Sequence, residues 1–271
     1  MAAPNEITIQ QLLRLIGIPN CPQIVDISID PDFADDPHQI PGAFRHLHGD
    51  LPGLFTRLNG QPSSIICQKG IKLSQGMAAQ LRSAGLRSEY LSGGNYGWRN
   101  RTQAPRILSA ILPPMDQGHS IWVTRYQPKI DRIACPWLIR RFVDKDARFL
   151  FVSPAEVIGV SERYNAIPFN IEDTFWCYPG DTCTFDTMLD EFGLRPPALD
   201  RLSTVVRAAD TDNHDLAPEA AGLLALSVGL SRQYRDDLEP LKAGMHLYDA
   251  LYRWARDGPE ERHAWPTGKP S

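Results

Sequence analysis

The 271-residue chain has no apolar run near the roughly 18–20 residues that a membrane span requires. Its opening, Met1-Ala-Ala-Pro-Asn-Glu-Ile-Thr8, lacks the basic stretch and apolar core of a secretory signal. Five cysteines, odd in number and widely scattered, do not form the pattern of a disulfide framework. Positive charge is not in excess. The formal net charge of −4 argues against a general binder of nucleic acid or anionic membrane, and no basic helix-turn-helix pattern is present. No period of about 20–50 residues repeats. Together these absences predict a soluble, cytoplasmic protein without nucleic-acid or membrane partners, whose thiols are free for chemistry.

What is present is ordinary globular composition, 42% hydrophobic and 22% charged, with material for a sizeable core. The length suggests two modest domains. Pro/Gly punctuation over residues 103–119 predicts a division into residues 5–103, a linker at 104–118, a second domain at 119–262 and a flexible tail at 263–271. Through residue 116 there are 10 basic and 9 acidic residues, against 18 and 23 beyond, so the acidity lies in the second half.

In the first half, Thr8 with Gln11 fits a capping box opening a short helix. Ile24–Ile27, Ser64–Cys67 and Ser88–Leu91 read as strands, and Gln75–Gly85 as a helix stopped by glycine. Strands alternating with helices predict an α/β parallel sheet with helices on both faces. The second half reads as mainly α with a small sheet. Strands are expected at 120–124 and 148–152, and helices at 129–143, 184–192, 197–208, 218–229 and 234–256.

Cys67 carries the strongest chemical signal. It closes a buried strand just before a helix, and the carboxyl edge of a parallel sheet is the usual ligand site. The loop Gln68, Lys69, Gly70, Ile71, Lys72, Leu73 and Ser74 offers backbone N–H groups, a helix N-terminus and two lysines, which favour thiolate and bound anion. The bland alternative is a small hydrophobe closing a strand.

Residues about 6–101 resemble a rhodanese-like domain. The resemblance is carried by Ile24-Val-Asp-Ile27, Ile40-Pro-Gly-Ala43, Ile66-Cys-Gln-Lys-Gly-Ile-Lys-Leu-Ser74, Ala78-Ala79, Leu81, Gly85 and Leu91-Ser-Gly-Gly94 with Trp98. It implies that Cys67 takes a sulfane sulfur as a persulfide and passes it to a thiol or cyanide, with the amides of 68 to about 73 holding the anion. Many family members carry arginine where Lys72 stands, and here the loop reaches its serine one residue later, at Ser74. Lysine brings charge without a planar fork.

In the second half, Arg125, Lys129, Asp131 and Arg132 gather around an apolar helix. Arg125, Lys129 and Arg132 could line an oxyanion pocket with Asp131 orienting one of them, or Lys129, Arg132, Arg140 and Arg141 could form a solvated face. Asp210–Asp215 offers oxygens and one imidazole, but helix capping accounts for it equally, and no metal is expected there. Cys177 and Cys183 are either a redox pair or two unpaired thiols.

Residues about 120–258 resemble the C-terminal domain of the chromate-resistance protein family of ChrB type. The matching pieces are Trp122-Val-Thr-Arg125, Lys129 to Val143, Arg148–Val152, Cys183-Thr-Phe185, Ala209-Asp-Thr211, Asp215–Pro218 and Gly229-Leu-Ser231. Combined, the two resemblances imply a sulfurtransferase-type protein linked to chromate or other oxyanion resistance. It would take thiosulfate or a persulfide as donor and a thiol as acceptor, bind chromate or sulfate in its second domain, and need no cofactor. The alternatives are an oxyanion reductase using Cys67, or a non-enzymatic chromate or sulfate sensor with a silent rhodanese-like module.

Overall fold

A computed structural model describes residues 5–115 and 118–261; the expected tail at 263–271 lies outside them. The first half runs β1 (Glu6–Ile7), α1 (Ile9–Leu15), β2 (Gln23–Asp26), α2 (Asp30–Asp35), β3 (His38–Gln39), β4 (Ala43–Arg45) and α3 (Leu51–Leu58). It continues through β5 (Ser63–Ile66), α4 (Lys72–Ser83), β6 (Ser88–Leu91), α5 (Gly94–Arg99) and β7 (Ile107–Leu108). The second half holds β8 (Ile121–Arg125), α6 (Asp131–Leu138), β9 (Arg148–Val152), α7 (Val157–Tyr164) and β10 (Ile167–Pro168). Four helices complete it: α8 (Thr184–Glu191), α9 (Pro197–Asp210), α10 (Ala220–Gln233) and α11 (Leu238–Asp257).

Five strands form one parallel sheet in the order β1-β6-β5-β2-β4. The central strand β5 is buried at all four positions, as a strand covered on both faces must be. Because side chains alternate across a strand, Val25, Ile27 and Ile65 point to one face and Ile24 and Ile66 to the other. The first face packs on α3 and α4 through Leu54, Leu58, Met77, Ala78 and Leu81. The second packs on α1 and Trp98 and continues without a break into the core of the second half.

Residues 105–108 of the stretch expected as a linker are packed in place. Ile107 is buried, β7 pairs antiparallel with β3, and the Trp98 indole donates to the Pro105 carbonyl at 2.9 Å. The halves also meet directly. Gly42 N–H donates to the Phe142 carbonyl at 2.6 Å, and Gly17, at φ +83°, lies where a Cβ would be 2.5 Å from the Phe142 ring.

The second half builds a three-stranded parallel sheet, β10-β8-β9, beneath an aromatic layer. Trp122 packs edge-on against Phe169 and Trp176, and Trp137 contacts Phe142, Tyr248 and Tyr252. Pro136 lies inside α6 and removes an intrahelical donor, and the helix passes into a π-turn over Ile139–Val143. The architecture is a parallel α/β sheet followed by a helix-rich region with a small sheet. Among the described residues no helix is long and apolar enough to cross a membrane.

Candidate functional site

Cys67 follows β5 directly, at the carboxyl edge of the five-stranded sheet. Its side chain is 4% exposed and packs in the cluster of Val25, Ile27, Met77 and Leu81. The thiol donates to Ser74 Oγ at 3.2 Å, and that hydroxyl donates to the Ile71 carbonyl at 3.2 Å. Lys69 and Lys72 are exposed. The groups around the sulfur are therefore Ser74, apolar side chains and backbone.

The loop shape follows from close approach between two turns. Gly70 (φ +68°) and Gly94 (φ +56°) face each other, and a Cβ on Gly94 would overlap the Cys67 carbonyl oxygen. Asn95 N–H donates to the Cys67 carbonyl at 3.1 Å and Tyr96 N–H to that of Gln68 at 3.0 Å. With those carbonyls engaged, the backbone amides of residues 68 to 74 donate to no acceptor among the described residues. They lead into the N-terminus of the twelve-residue α4, which has no side-chain cap. Unpartnered amides beside a sulfur at a helix N-terminus are donors available to an anion.

Three residues outside the expected loop complete the arrangement. Asn95 Nδ2 donates to Asp26 Oδ2 at 3.0 Å and to Ser28 Oγ at 3.3 Å, and Ser28 N–H donates to Asp26 Oδ1 at 2.8 Å. Asp26 is buried at the end of β2, so this network ties the neighbouring strand to the turn that holds Cys67. Asp26 and Gly94 stand in the segments that carry the rhodanese-like resemblance. Asn95 has no signal of its own in the sequence.

Three of the four residues expected at a second-half oxyanion site come together. Arg125, at the end of β8, donates to Asn170 Oδ1 at 3.0 Å, and Asn170 Nδ2 donates to Asp131 Oδ2 at 3.1 Å. Asp131 thus orients Arg125 through an amide relay. Its main duty is another: the buried carboxylate accepts the amides of Thr184 (2.7 Å) and Phe185 (3.0 Å), capping α8 from outside that helix. Burial pushes the Asp131 carboxyl up to about 7, with the Asp210 charge adding and the two amides opposing. Arg132 donates to the Tyr126 carbonyl at 3.1 Å. Burial pulls the Arg132 guanidinium down, Arg125 pulls it further, and Asp210, Asp131 and Asp237 oppose. The fourth residue, Lys129, makes no side-chain hydrogen bond or ion pair among the described residues.

Asp210, the last residue of α9, is the member of this cluster that sequence spacing did not supply. Burial raises its carboxyl, while the Asp131 amide, Arg132 and Arg125 lower it. Ile130, the N-cap of α6, has φ +38°, a strained conformation for a β-branched residue, and its carbonyl accepts Tyr248 Oη at 2.9 Å.

All five cysteines are free. Cys135 and Cys183 are buried in the second-half core, and burial pushes both thiols up. Among the described residues no three His, Cys, Asp or Glu side chains converge to hold a metal.

Residues 122–255 match the family model described as ChrB, C-terminal domain. Protein ChrB of Cupriavidus metallidurans is 31% identical over 153 residues, which cover 55% of this chain and 45% of that protein. The chain therefore spans under half the length of this relative. Among solved structures, a thiosulfate sulfurtransferase from Pseudomonas aeruginosa is 22% identical over 38% of this chain and 19% of its own, with a TM-score of 0.33. A protein from Staphylococcus saprophyticus is 27% identical over 33% of this chain and 88% of its own, with a TM-score of 0.30. A Rhodopseudomonas palustris protein described as a possible tyrosine phosphatase is 21% identical over 35% of this chain and 80% of its own, at TM-score 0.31.

Proposed function

From a ChrB C-terminal domain preceded by a parallel α/β sheet that resembles rhodanese folds, we propose a sulfurtransferase-type protein that forms a persulfide on Cys67. The observation that carries this reading is the row of unpartnered amides, 68 to 74, beside the Cys67 sulfur. The Cys67 thiolate attacks the outer sulfur of thiosulfate, an S–S bond forms on Cys67, the S–S bond of thiosulfate breaks, and sulfite leaves with its electron pair. Charge balances, because one thiolate and one dianion become one persulfide anion and one sulfite dianion. The loop amides hold the sulfonate end and then the persulfide. A thiolate acceptor next attacks the outer sulfur, and Cys67 leaves as thiolate. Free thiols at Cys67 and elsewhere in the chain fit the reducing cytoplasm, where we place this chemistry.

Intact-mass spectrometry after brief thiosulfate exposure tests it. A gain of about 32 Da in the wild type and none in Cys67→Ser is the expected result. A folded, reduced wild-type protein that gains no sulfur overturns the reading.

A second reading concerns the other half, which we propose binds chromate or sulfate at Arg125 and Arg132. It rests on Arg125 Nε, which is buried without a hydrogen-bond partner among the described residues, beside a second guanidinium whose charge it opposes. Two guanidiniums held together with donors to spare are relieved by an oxyanion between them. Titration with each anion, in wild type and Arg132→Gln, tests this independently of sulfur transfer.

A further inference from the structure

Away from both of these sites, a cavity of about 580 Å³ between the halves is lined by Arg57, Gly118, His119, Asp146 and Arg148. Arg57 comes from α3 of the first half; the others flank β8 and β9 of the second. His119 is only 8% exposed, and no group among the described residues hydrogen-bonds its ring. Arg57 lies over the Phe44 ring, with Cζ 3.7 Å from the centroid, and neither it nor Arg148 has an ion-pair partner among the described residues. A buried imidazole and two guanidiniums without an ion-pair partner among the described residues line one space, and all three can donate to an anion placed there.

Two carboxylates stand near these cations, and they differ. Asp144 is used up: it accepts the amide and hydroxyl of Ser120, each at 2.6 Å, and the Asp146 amide at 3.0 Å. The Asp146 carboxylate accepts no hydrogen bond among the described residues and lines the cavity. Burial pulls the Arg57 guanidinium down, and Asp146 and Asp144 only partly offset this. A ligand here must therefore offer negative oxygens to the arginines and a hydrogen-bond donor to Asp146.

We propose that this cavity binds inorganic phosphate, with Arg57, Arg148 and His119 donating to its oxygens and Asp146 accepting its hydroxyl. Inorganic phosphate keeps at least one P–O–H at neutral pH, whereas sulfate has none and would face Asp146 with bare repulsion. Because the ligand touches both halves, it stabilises their packed arrangement in proportion to its occupancy. The inference does not depend on Cys67 chemistry.

Isothermal titration of the full chain near neutral pH, at constant ionic strength, with sodium phosphate and then sodium sulfate, tests it. We expect saturable phosphate binding roughly tenfold or more tighter than sulfate binding, a difference of about 1.4 kcal/mol. Arg57→Gln and Arg148→Gln should each weaken phosphate about tenfold or more, and Arg148→Gln should do so without altering melting in its absence, since that side chain is exposed and makes no ion pair among the described residues. Asp146→Asn should bring the two anions to within roughly threefold of each other. Cys67→Ser and Arg132→Gln should leave phosphate affinity unchanged. Absence of saturable phosphate binding, phosphate binding that persists in the Arg57→Gln/Arg148→Gln protein, or sulfate binding that is as tight as phosphate binding and is lost in that same protein overturns the proposal.

Discussion

Gly94 stands against the carbonyl oxygen of Cys67, so near that no side chain fits between the turn after β6 and the end of β5. Its φ of +56° adds a second demand for glycine at the same position. The shape of the Cys67 loop is therefore set by a residue 27 positions further along the chain, on a neighbouring strand's turn.

It follows that Gly94→Ala displaces the loop rather than simply straining it. Unfolding free energy should fall by about 2–4 kcal/mol, through overlap and left-handed strain together. Sulfur loading from thiosulfate should fall by more than about tenfold in protein that remains folded. Circular dichroism melting combined with intact mass separates the two effects. Normal loading in Gly94→Ala would mean that the loop geometry does not govern the chemistry.

Ser74 touches the sulfur and also ties down the Ile71 carbonyl of the loop. In the thiol form it accepts from Cys67; in a thiolate its hydroxyl can rotate to donate. Ser74→Ala should slow persulfide formation roughly 3- to 10-fold, the worth of one such hydrogen bond, while changing the melting temperature little. An undiminished rate would place the anion's stabilisation wholly in the amides.

The Asp131 carboxyl is shifted from its ordinary 3.8 to about 7, chiefly by burial, with Asp210 second. A carboxyl raised in the folded state holds its proton while the unfolded chain has already lost one. Stability contributed by the protonated form is thus complete below about pH 4 and declines as pH rises towards about 7, beyond which the loss is constant. Asp131→Asn cannot titrate, so its destabilisation relative to wild type should be larger near pH 5 than near pH 7.5, measured by urea melts at each pH. A cost that is equal at both values would show that Asp131 does not titrate in this range.

Much of this was legible in the amino acids. The strand expected at Ser64–Cys67 forms over Ser63–Ile66, and the Thr8–Gln11 capping box forms as the residue types require, with Gln11 N–H reaching Thr8 Oγ at 3.2 Å. The helix after Cys67 starts at Lys72, earlier than the Gln75 expected, because Lys72 and Ser74 enter its first turn. Helix α3 was hidden by Pro52 and Gly53, which resemble a turn; in the fold Pro52 sits in the first turn and Asp50 caps it through Gly53 N–H at 2.9 Å. Relationships across distance were not legible. Asp210 is 79 positions from Asp131, and only the packing of α9 against α6 brings it to Arg132. The lysines of the Cys67 loop match in type, but the exposed loop turns them to solvent.

Because Leu12, Ile16, Ile24 and Trp98 belong to the same buried cluster as Phe142 and Tyr252, the halves should not melt separately. Cooperative units are defined by contiguous buried contacts, and here those contacts cross the Pro/Gly-rich stretch. Gly17 is the sharpest probe of the seam, since a methyl there would meet Phe142 at 2.5 Å and Tyr252 at 2.7 Å, at φ +83°. Gly17→Ala should lower the whole transition, by about 2–4 kcal/mol, without splitting it. Cyanylation of the buried Cys183 in the second half, followed by mass beside that of the buried Cys67 in the first half, reports both sides of the seam in one melt. Coincident midpoints that shift together in Gly17→Ala are expected. Two separated midpoints, with only one moved by the substitution, would show that the halves fold as independent units and touch without sharing stability.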